Sequence, residues 1–275
     1  MARHKITREA TAVVTGAGSG IGRAFALELA RRGSRVVCAD INVAAANETV
    51  KLIESFGSTG TALRCDVSKV EEVEALAAKV EAWFKGPASV VINNAGVGAG
   101  GKPVGATSME DWNWVLGVNL WGVIHGCHVF APRLRAAGRG GIINVGSTAS
   151  FAAAPMMGPY NVSKAAVLAL SETMAAELQG SGIHITALCP TFVKTNIVKD
   201  GRIDAGTSGF AEKVMRWTGI EADGVAKQTL DALDRNQLYV LPQLEARAIW
   251  RMKRLAPGLY ARGAGVLNRL MTAKA

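Results

Sequence analysis

The chain has 275 residues, of which 49% are hydrophobic and 19% charged. That length and balance exclude a disordered chain and fit one large domain with a full core. The formal net charge is +9, but +6 of it falls in residues 243–275, so the basicity belongs to a tail and makes no case for nucleic acid.

No apolar run approaches the ~18 residues needed to cross a bilayer. The N-terminus, MARHKITREA, has no apolar signal core. Both features predict a cytoplasmic protein. Cys38, Cys65, Cys127 and Cys189 sit in or beside apolar segments, without zinc-site or disulfide spacing. They are expected to be buried free thiols, and no metal site is expected.

Thr11 to Thr15, TAVVT, reads as a strand. GAGSGIG follows from Gly16 to Gly22, and then a helical pattern that Gly33 ends. Strand, glycine turn and helix form the context of a dinucleotide site. Gly16, Gly18, Gly20 and Gly22 allow a tight turn and keep Cβ atoms away from a pyrophosphate. The helix N-terminus turns N–H groups and partial positive charge toward the phosphates.

The next strand, Arg35 to Ala39, ends in Asp40. A carboxylate there accepts hydrogen bonds from both adenosine ribose hydroxyls and repels a 2′-phosphate. This argues for NAD over NADP, with Arg23 and Arg35 the nearby cations that would help a phosphate. Asn42 caps a helix to about Phe56, and Thr61 to Cys65 is a third strand ending in Asp66-Val67. Ser68 and Glu71 read as a capping box for a helix to about Phe84. Ala88 to Ile92 is the fourth strand, followed by Asn93-Asn94-Ala95-Gly96. Ser108 and Asp111 open two helical stretches, 109–118 and 119–137, with Asn119 between apolar neighbours.

Gly141 to Gly146 is the fifth strand, and Ser147 follows it. Tyr160 and Lys164 stand one helical turn apart on the next helix, which runs to about Gln179. An ammonium near a phenol favours the phenolate, so the pair reads as an acid/base device. Ile183 to Leu188 is the sixth strand, ending at Pro190. Residues 191–220 read as a loop with a short helix near 209–217. A helix over 221–235 and a strand over 238–241 complete residues 1–242. The alternation predicts a single doubly wound α/β domain, with a parallel sheet of about seven strands and helices on both faces.

With the TGAGSGIG loop, the Asn93-Asn94-Ala95-Gly96 run, Asn119, Ser147 and Tyr160-Asn161-Val162-Ser163-Lys164 in order, the chain resembles a short-chain dehydrogenase/reductase over residues 8 to about 241. The resemblance implies a Rossmann fold and a nicotinamide-dependent oxidoreductase. It makes Tyr160 the catalytic acid/base, with Lys164 lowering its pKa and holding the nicotinamide ribose. Ser147 would position the substrate oxygen, and Asn119 would hold a water in a proton relay. Gly16, Gly18, Ser19, Gly20, Ile21 and Gly22 would surround the pyrophosphate. Asp40, Asp66, Val67 and Asn93 would serve the adenosine half, with Ala95 and Gly96 also on the cofactor. Pro190 and Thr195 would contact the nicotinamide end. The family more often has Pro-Gly after the sixth strand, where this chain has Pro190-Thr191. A homodimer or homotetramer is also implied.

Phe151, Met156 and Met157 before the tyrosine, and Phe192, Phe210, Met215 and Trp217 in the 191–220 lid, make the expected substrate pocket apolar. The expected reaction is hydride transfer between NAD and a hydrophobic secondary alcohol or ketone. An NADPH-dependent ketone reductase and a non-catalytic NAD-binding scaffold or sensor are the alternatives. Residues 243–275 form a basic amphipathic extension. Leu244, Ala248, Ile249, Met252, Leu255 and Ala256 lie along one side, and Pro257-Gly258 forms a break. Such a tail can pack on its own or a neighbouring subunit, or make peripheral contact with a membrane.

Overall fold

The computed structural model describes residues 5–195, 201–203 and 219–272. Seven parallel strands form one sheet in the order β3-β2-β1-β4-β6-β7-β9. They are β1 (Thr11–Thr15), β2 (Arg35–Asp40), β3 (Gly60–Arg64), β4 (Val90–Asn93), β6 (Gly140–Val145), β7 (Ile183–Leu188) and β9 (Tyr239–Val240). The central strands β4 and β6 are buried at every residue. This is the pattern of a parallel sheet covered on both faces, and it explains the continuous apolar runs in the sequence. Strand order reverses between β1 and β4. The carboxyl ends of these strands bracket the crevice where doubly wound sheets bind ligands.

One face is covered by α1 (Gly20–Arg31), α2 (Val43–Ser55) and α8 (Ala222–Asp234), through Phe25, Leu29, Ile53, Leu230 and Leu233. Each such side chain contributes about 1.5–3 kcal/mol of burial. The other face carries α3 (Val70–Phe84), α5 (Gly122–Ala137) and α7 (Gly158–Glu177), through Leu76, Val80, Phe130, Leu134 and Val167. Arg32 joins α1 to α8 by bonds to Asp231 at 2.8 Å and Asp234 at 3.4 Å. All four cysteines are buried and free. Burial pushes Cys38, Cys65 and Cys127 up to about 12 and Cys189 to about 11, so they stay thiols.

Several local expectations change. Residues 109–137 form one continuous helical rod, α4 (Met109–Leu116) joined to α5 through a π-helical turn at Gly117–Trp121. The sequence read this as two stretches because the extra residue in the turn shifts the 3.6 period. The rod is long and apolar enough to cross a membrane. Its apolar residues Val123, Phe130 and Leu134 instead fill the core.

Ser68 does not cap α3. Lys69 takes the N-cap position without a side-chain bond, and the Ser68 hydroxyl donates to Asp66 at 2.7 Å. Glu72, one position past the expected Glu71, accepts the Asp66 N–H at 2.9 Å. Asn42 does cap α2, accepting from the Ala45 N–H at 3.2 Å. A short pair, β5 (Ala99–Gly100) with β8 (Arg202–Ile203), and a four-residue helix, α6 (Ala149–Ala152), are additions. The tail forms α9 (Leu244–Leu255) and α10 (Pro257–Thr272).

Candidate active site

The glycine loop joins β1 to α1 under tight constraint. Gly16 has φ +64°, and a Cβ there would lie 2.8 Å from the Ala95 Cα. At Gly22 a Cβ would lie 2.1 Å from the Gly16 carbonyl oxygen. Both positions therefore need glycine to close the turn against β4 and its own helix. Ser19 sits at the N-cap of α1 and takes no first-turn N–H with its side chain. The Gly20, Ile21 and Gly22 N–H groups thus end the helix as donors for an anion.

Asp40 lies beside this loop. Its carboxylate accepts the Gly18 N–H at 2.8 Å and the Asn42 N–H at 2.9 Å, one on each oxygen. Arg23 is engaged elsewhere, donating to the Thr49 hydroxyl at 3.0 Å and to the Gly18 carbonyl. Arg35 donates to the Phe84 carbonyl and stacks on Trp83 and Phe84. Neither guanidinium pairs with Asp40. A glycine cradle, an uncapped helix start and an acid with spare lone pairs fit the pyrophosphate and ribose of a dinucleotide.

Asp66 follows β3. Burial works to raise its pKa. Bonds from the Ser68 hydroxyl and N–H, with Lys69 and Arg64 nearby, outweigh that and hold the carboxyl low. Val67 packs on the start of α5, where a Cβ on Gly122 would meet its Cγ2 at 2.6 Å. The Val67 carbonyl pairs with His125 Nδ1 at 2.9 Å.

The Asn93-Asn94 pair behaves differently from expectation. Asn93 was expected to line the adenosine pocket, but its side chain turns into the core. It donates to Asn144 Oδ1 at 2.9 Å and contacts Cys127 Sγ at 3.4 Å. The reason is β-strand alternation: Asn93 is the last residue of β4 and faces α5, where Gly126 leaves room for the amide. Asn94 turns to the glycine loop and donates to the Thr15 and Gly16 carbonyls at 2.9 and 3.2 Å. Sequence reasoning gave Asn94 no role, although it stands beside Asn93 in the same motif. Ala95 bonds the Thr15 hydroxyl at 3.2 Å, so the loop after β4 is pinned to β1.

Asn119 is fully buried in the π turn. Its amide accepts the Val97 N–H at 2.7 Å and donates to the Val97 carbonyl at 2.9 Å. A Cβ on Gly96 would lie 3.2 Å from Asn119 Oδ1 and 3.5 Å from Lys164 Nζ. Asn119 therefore fixes the loop that passes Lys164.

Ser147 leaves β6 at the same end of the sheet. Its hydroxyl accepts the Ala149 N–H at 3.2 Å. Tyr160 lies in the first turn of α7, where Pro159 fits because its missing N–H has no helical partner. Burial raises the Tyr160 pKa, and a hydrogen bond with the Ser147 hydroxyl acts in the opposite direction. Lys164 donates to the Val145 carbonyl at 2.9 Å and sits 5.8 Å from the Tyr160 ring centre. Burial lowers its pKa to about 8. The expected lowering of the phenol by this amine is not the balance found: Tyr160 is raised, because burial outweighs the favourable contacts. Ser147, Tyr160 and Lys164 are brought together, and Asn119 reaches them through Gly96.

The loop after β7 runs back over this end. The Pro190 carbonyl accepts the Thr148 N–H at 2.8 Å, and the Thr191 hydroxyl meets that of Thr148 at 3.1 Å. Thr191 thus joins the two loops across the site. Thr195 reaches the glycine loop, where a Cβ on Gly20 would lie 3.0 Å from its Cγ2. Gln243, which the sequence did not single out, clamps the segment: it accepts the Thr191 N–H at 3.0 Å and donates to the Phe192 carbonyl at 2.9 Å.

Met156 and Pro159 line a groove of about 310 Å³ with Ala99, Gly100, Lys102 and Arg202. The groove is less apolar than the 148–159 segment suggested, since Lys102 and Arg202 enter it from elsewhere in the chain. Met157 bridges Lys102 beside it. Phe151 is a correction. Its ring meets Trp250 edge-on at 5.0 Å within a core cluster, so the tail covers the side chain expected to face substrate. Phe210, Met215, Trp217 and the helix expected near 209–217 lie outside the described residues. No group of side chains suited to a metal occurs among the described residues.

Comparison with known proteins bears on the family and the fold. Residues 10–205 match the family model described as short chain dehydrogenase. EphD of Mycobacterium tuberculosis, described as a probable oxidoreductase, is 37% identical over 255 residues. That alignment spans 89% of this chain but only 43% of EphD, so the chain covers under half of that relative. A short-chain dehydrogenase/reductase from Burkholderia phymatum, solved with NAD, superposes with a TM-score of 0.87 at 34% identity, covering 92% of this chain and 96% of its own. A short-chain dehydrogenase from Sphingobium yanoikuyae, solved with NADPH, gives 0.76 at 27% identity, covering 91% and 94%.

Proposed function

The chain belongs to the short-chain dehydrogenase family, and on that premise we propose that it moves a hydride between NAD and an apolar secondary alcohol or ketone. The observation that carries the reading is the gathering of Ser147, Tyr160 and Lys164 at the carboxyl end of β6. The nicotinamide, when bound, supplies the hydride chemistry.

Every other part falls to the chain's own residues. Ser147 Oγ hydrogen-bonds the substrate oxygen and orients it toward the phenol. Tyr160 Oη takes the hydroxyl proton when an alcohol is oxidised and returns it when a ketone is reduced. Lys164 Nζ, anchored on Val145, presents its remaining donors to a ribose and to the phenol side of the site. Asn119 positions the Gly96–Val97 loop beside it. The glycine loop, braced by Asn94, and Asp40 hold the dinucleotide, with Ala95, Gly96, Asp66 and Val67 along it, and Pro190 and Thr195 toward the nicotinamide.

Two features support NAD over NADP. Asp40 has no cationic partner among the described residues, and Arg23 and Arg35 are both occupied elsewhere. Met156 and Met157 support an apolar substrate. Lys102, which lines the groove together with Asp111, favours a second reading, in which the substrate carries a carboxylate. A cytoplasmic homodimer or homotetramer completes the proposal.

A screen of apolar secondary alcohols and hydroxy acids, each with NAD and NADP, tests this through absorbance of the reduced nicotinamide. Turnover of apolar alcohols with NAD is expected. Turnover confined to small hydroxy acids, or to NADP, would overturn it.

A further inference from the structure

The inner face of the C-terminal arm is accounted for. Ala246 is buried, while Ile249 and Trp250 pack against the cluster of Phe151, Leu168, Ala187 and Cys189. Arg254 stacks on Trp250 at 3.8 Å, and the Tyr260 hydroxyl donates to the Ala152 carbonyl at 2.8 Å. These contacts fix which way both helices face.

The outer face has no such partner among the described residues. Leu255 is 85% exposed and Leu244 77%, and Met252, Leu259 and Val266 are exposed as well. In α9, Leu244, Ala248, Met252 and Leu255 recur at spacings of four and three, so they form one stripe. The stripe lies on the side away from Ile249 and Trp250. Arg247 and Arg251 run along its edge, and Glu245 is the single acid in 243–275. These two arginines, with Arg235, also line a cavity of about 410 Å³ between α8, β9 and α9. Gln228 and Gln237 contribute to its wall, and no carboxylate does among the described residues.

We propose that this face docks on an anionic lipid surface. The leucine stripe enters the boundary between headgroups and acyl chains, and the arginine edge and its cavity receive lipid phosphates. Charge decides between lipid and a second copy of the chain. A two-fold contact through this stripe would bring together two surfaces that are both edged with arginine. One glutamate per chain is too little to offset that repulsion. An anionic bilayer supplies the missing negative charge and the apolar layer together. The face is separate from the catalytic cluster, so its test does not depend on turnover.

Flotation of the full chain with phosphatidylcholine vesicles, alone or with about 30% phosphatidylserine, reads the interaction directly. Binding to the anionic vesicles only, and its loss at high salt, is expected. The double variants Leu244→Glu/Leu255→Glu and Arg247→Glu/Arg251→Glu should each cut the bound fraction by about tenfold or more, with unchanged circular dichroism. Failure to float with anionic vesicles overturns the proposal, as does binding that both double variants leave intact. An oligomer that fails to float, and that Leu244→Glu/Leu255→Glu reduces in mass, assigns the face to a second copy instead.

Discussion

Asn119 grips the backbone of Val97 from both sides, accepting its N–H at 2.7 Å and donating to its carbonyl at 2.9 Å. The side chain comes from a π turn, and the backbone it holds lies 22 residues earlier. That one amide sets where Gly96 runs past Lys164. Replacing Asn119 by Ala takes the amide partner from both part-buried Val97 groups and leaves a gap at a fully buried position. A loss of about 2–4 kcal/mol in urea unfolding is expected, with weaker coenzyme binding. Unchanged stability and binding would show that the loop holds itself.

Tyr160→Phe keeps the ring and removes only the hydroxyl. Turnover should fall by about 10²–10⁴-fold while coenzyme affinity, read by fluorescence, stays within a few fold. Because burial raises the phenol's pKa, the phenolate is the minority form at neutral pH. Alcohol oxidation needs that form as proton acceptor, so its rate should rise with pH. Ketone reduction needs the protonated phenol and should not share that rise.

Lys164 makes a prediction about stability. Its pKa falls from the ordinary 10.5 to about 8 in the folded chain. Between those values the unfolded chain keeps a proton that the folded chain has released, so stability rises with pH across the window. Below it both states are charged, and burial costs on the order of 3 kcal/mol. Lys164→Met is free of that cost. The variant should be inactive yet more stable than the wild type near neutral pH, and its advantage should shrink as pH climbs through the window. Urea titrations at several pH values give the answer, and a constant gap would contradict the assignment.

Asp40 braces the glycine loop, and the proposed function gives it the choice between NAD and NADP. Asp40→Asn keeps an acceptor for the Gly18 N–H but removes the charge. The NADP-to-NAD preference, measured as a ratio of kcat/KM values, should rise by about a hundredfold, since like-charge repulsion is lost. An unmoved ratio would place the selectivity elsewhere.

Gln243 holds Thr191 and Phe192 from the base of the C-terminal arm. Gln243→Ala takes the partner from one part-buried N–H and one part-buried carbonyl, costing about 1–3 kcal/mol in unfolding experiments. Coenzyme and substrate KM values should rise more than kcat falls, because the loop they rest on loosens. The reverse pattern would mean that Gln243 acts on the chemistry itself.

Residues close together in the chain were legible. The glycine loop, the Tyr160–Lys164 spacing, the Asn42 cap and the strand–helix alternation all depend on short periods and local backbone rules, which a sequence displays directly. The π turn was hidden, because one inserted residue makes a continuous helix look like two. Ser68 offered a capping pattern, but Asp66 and Glu72 competed for the same groups and won.

By itself, the sequence determined the sheet, the order of its elements and the residue types at the candidate catalytic positions. Only the tertiary structure decided which way those residues face. Strand alternation and the gap at Gly126 turned Asn93 inward, and Trp250, 99 positions away, covered Phe151. Burial, rather than the neighbouring amine, set the balance at Tyr160. Burial and long-range contact depend on the packing of distant segments, and local pattern carries no record of that packing.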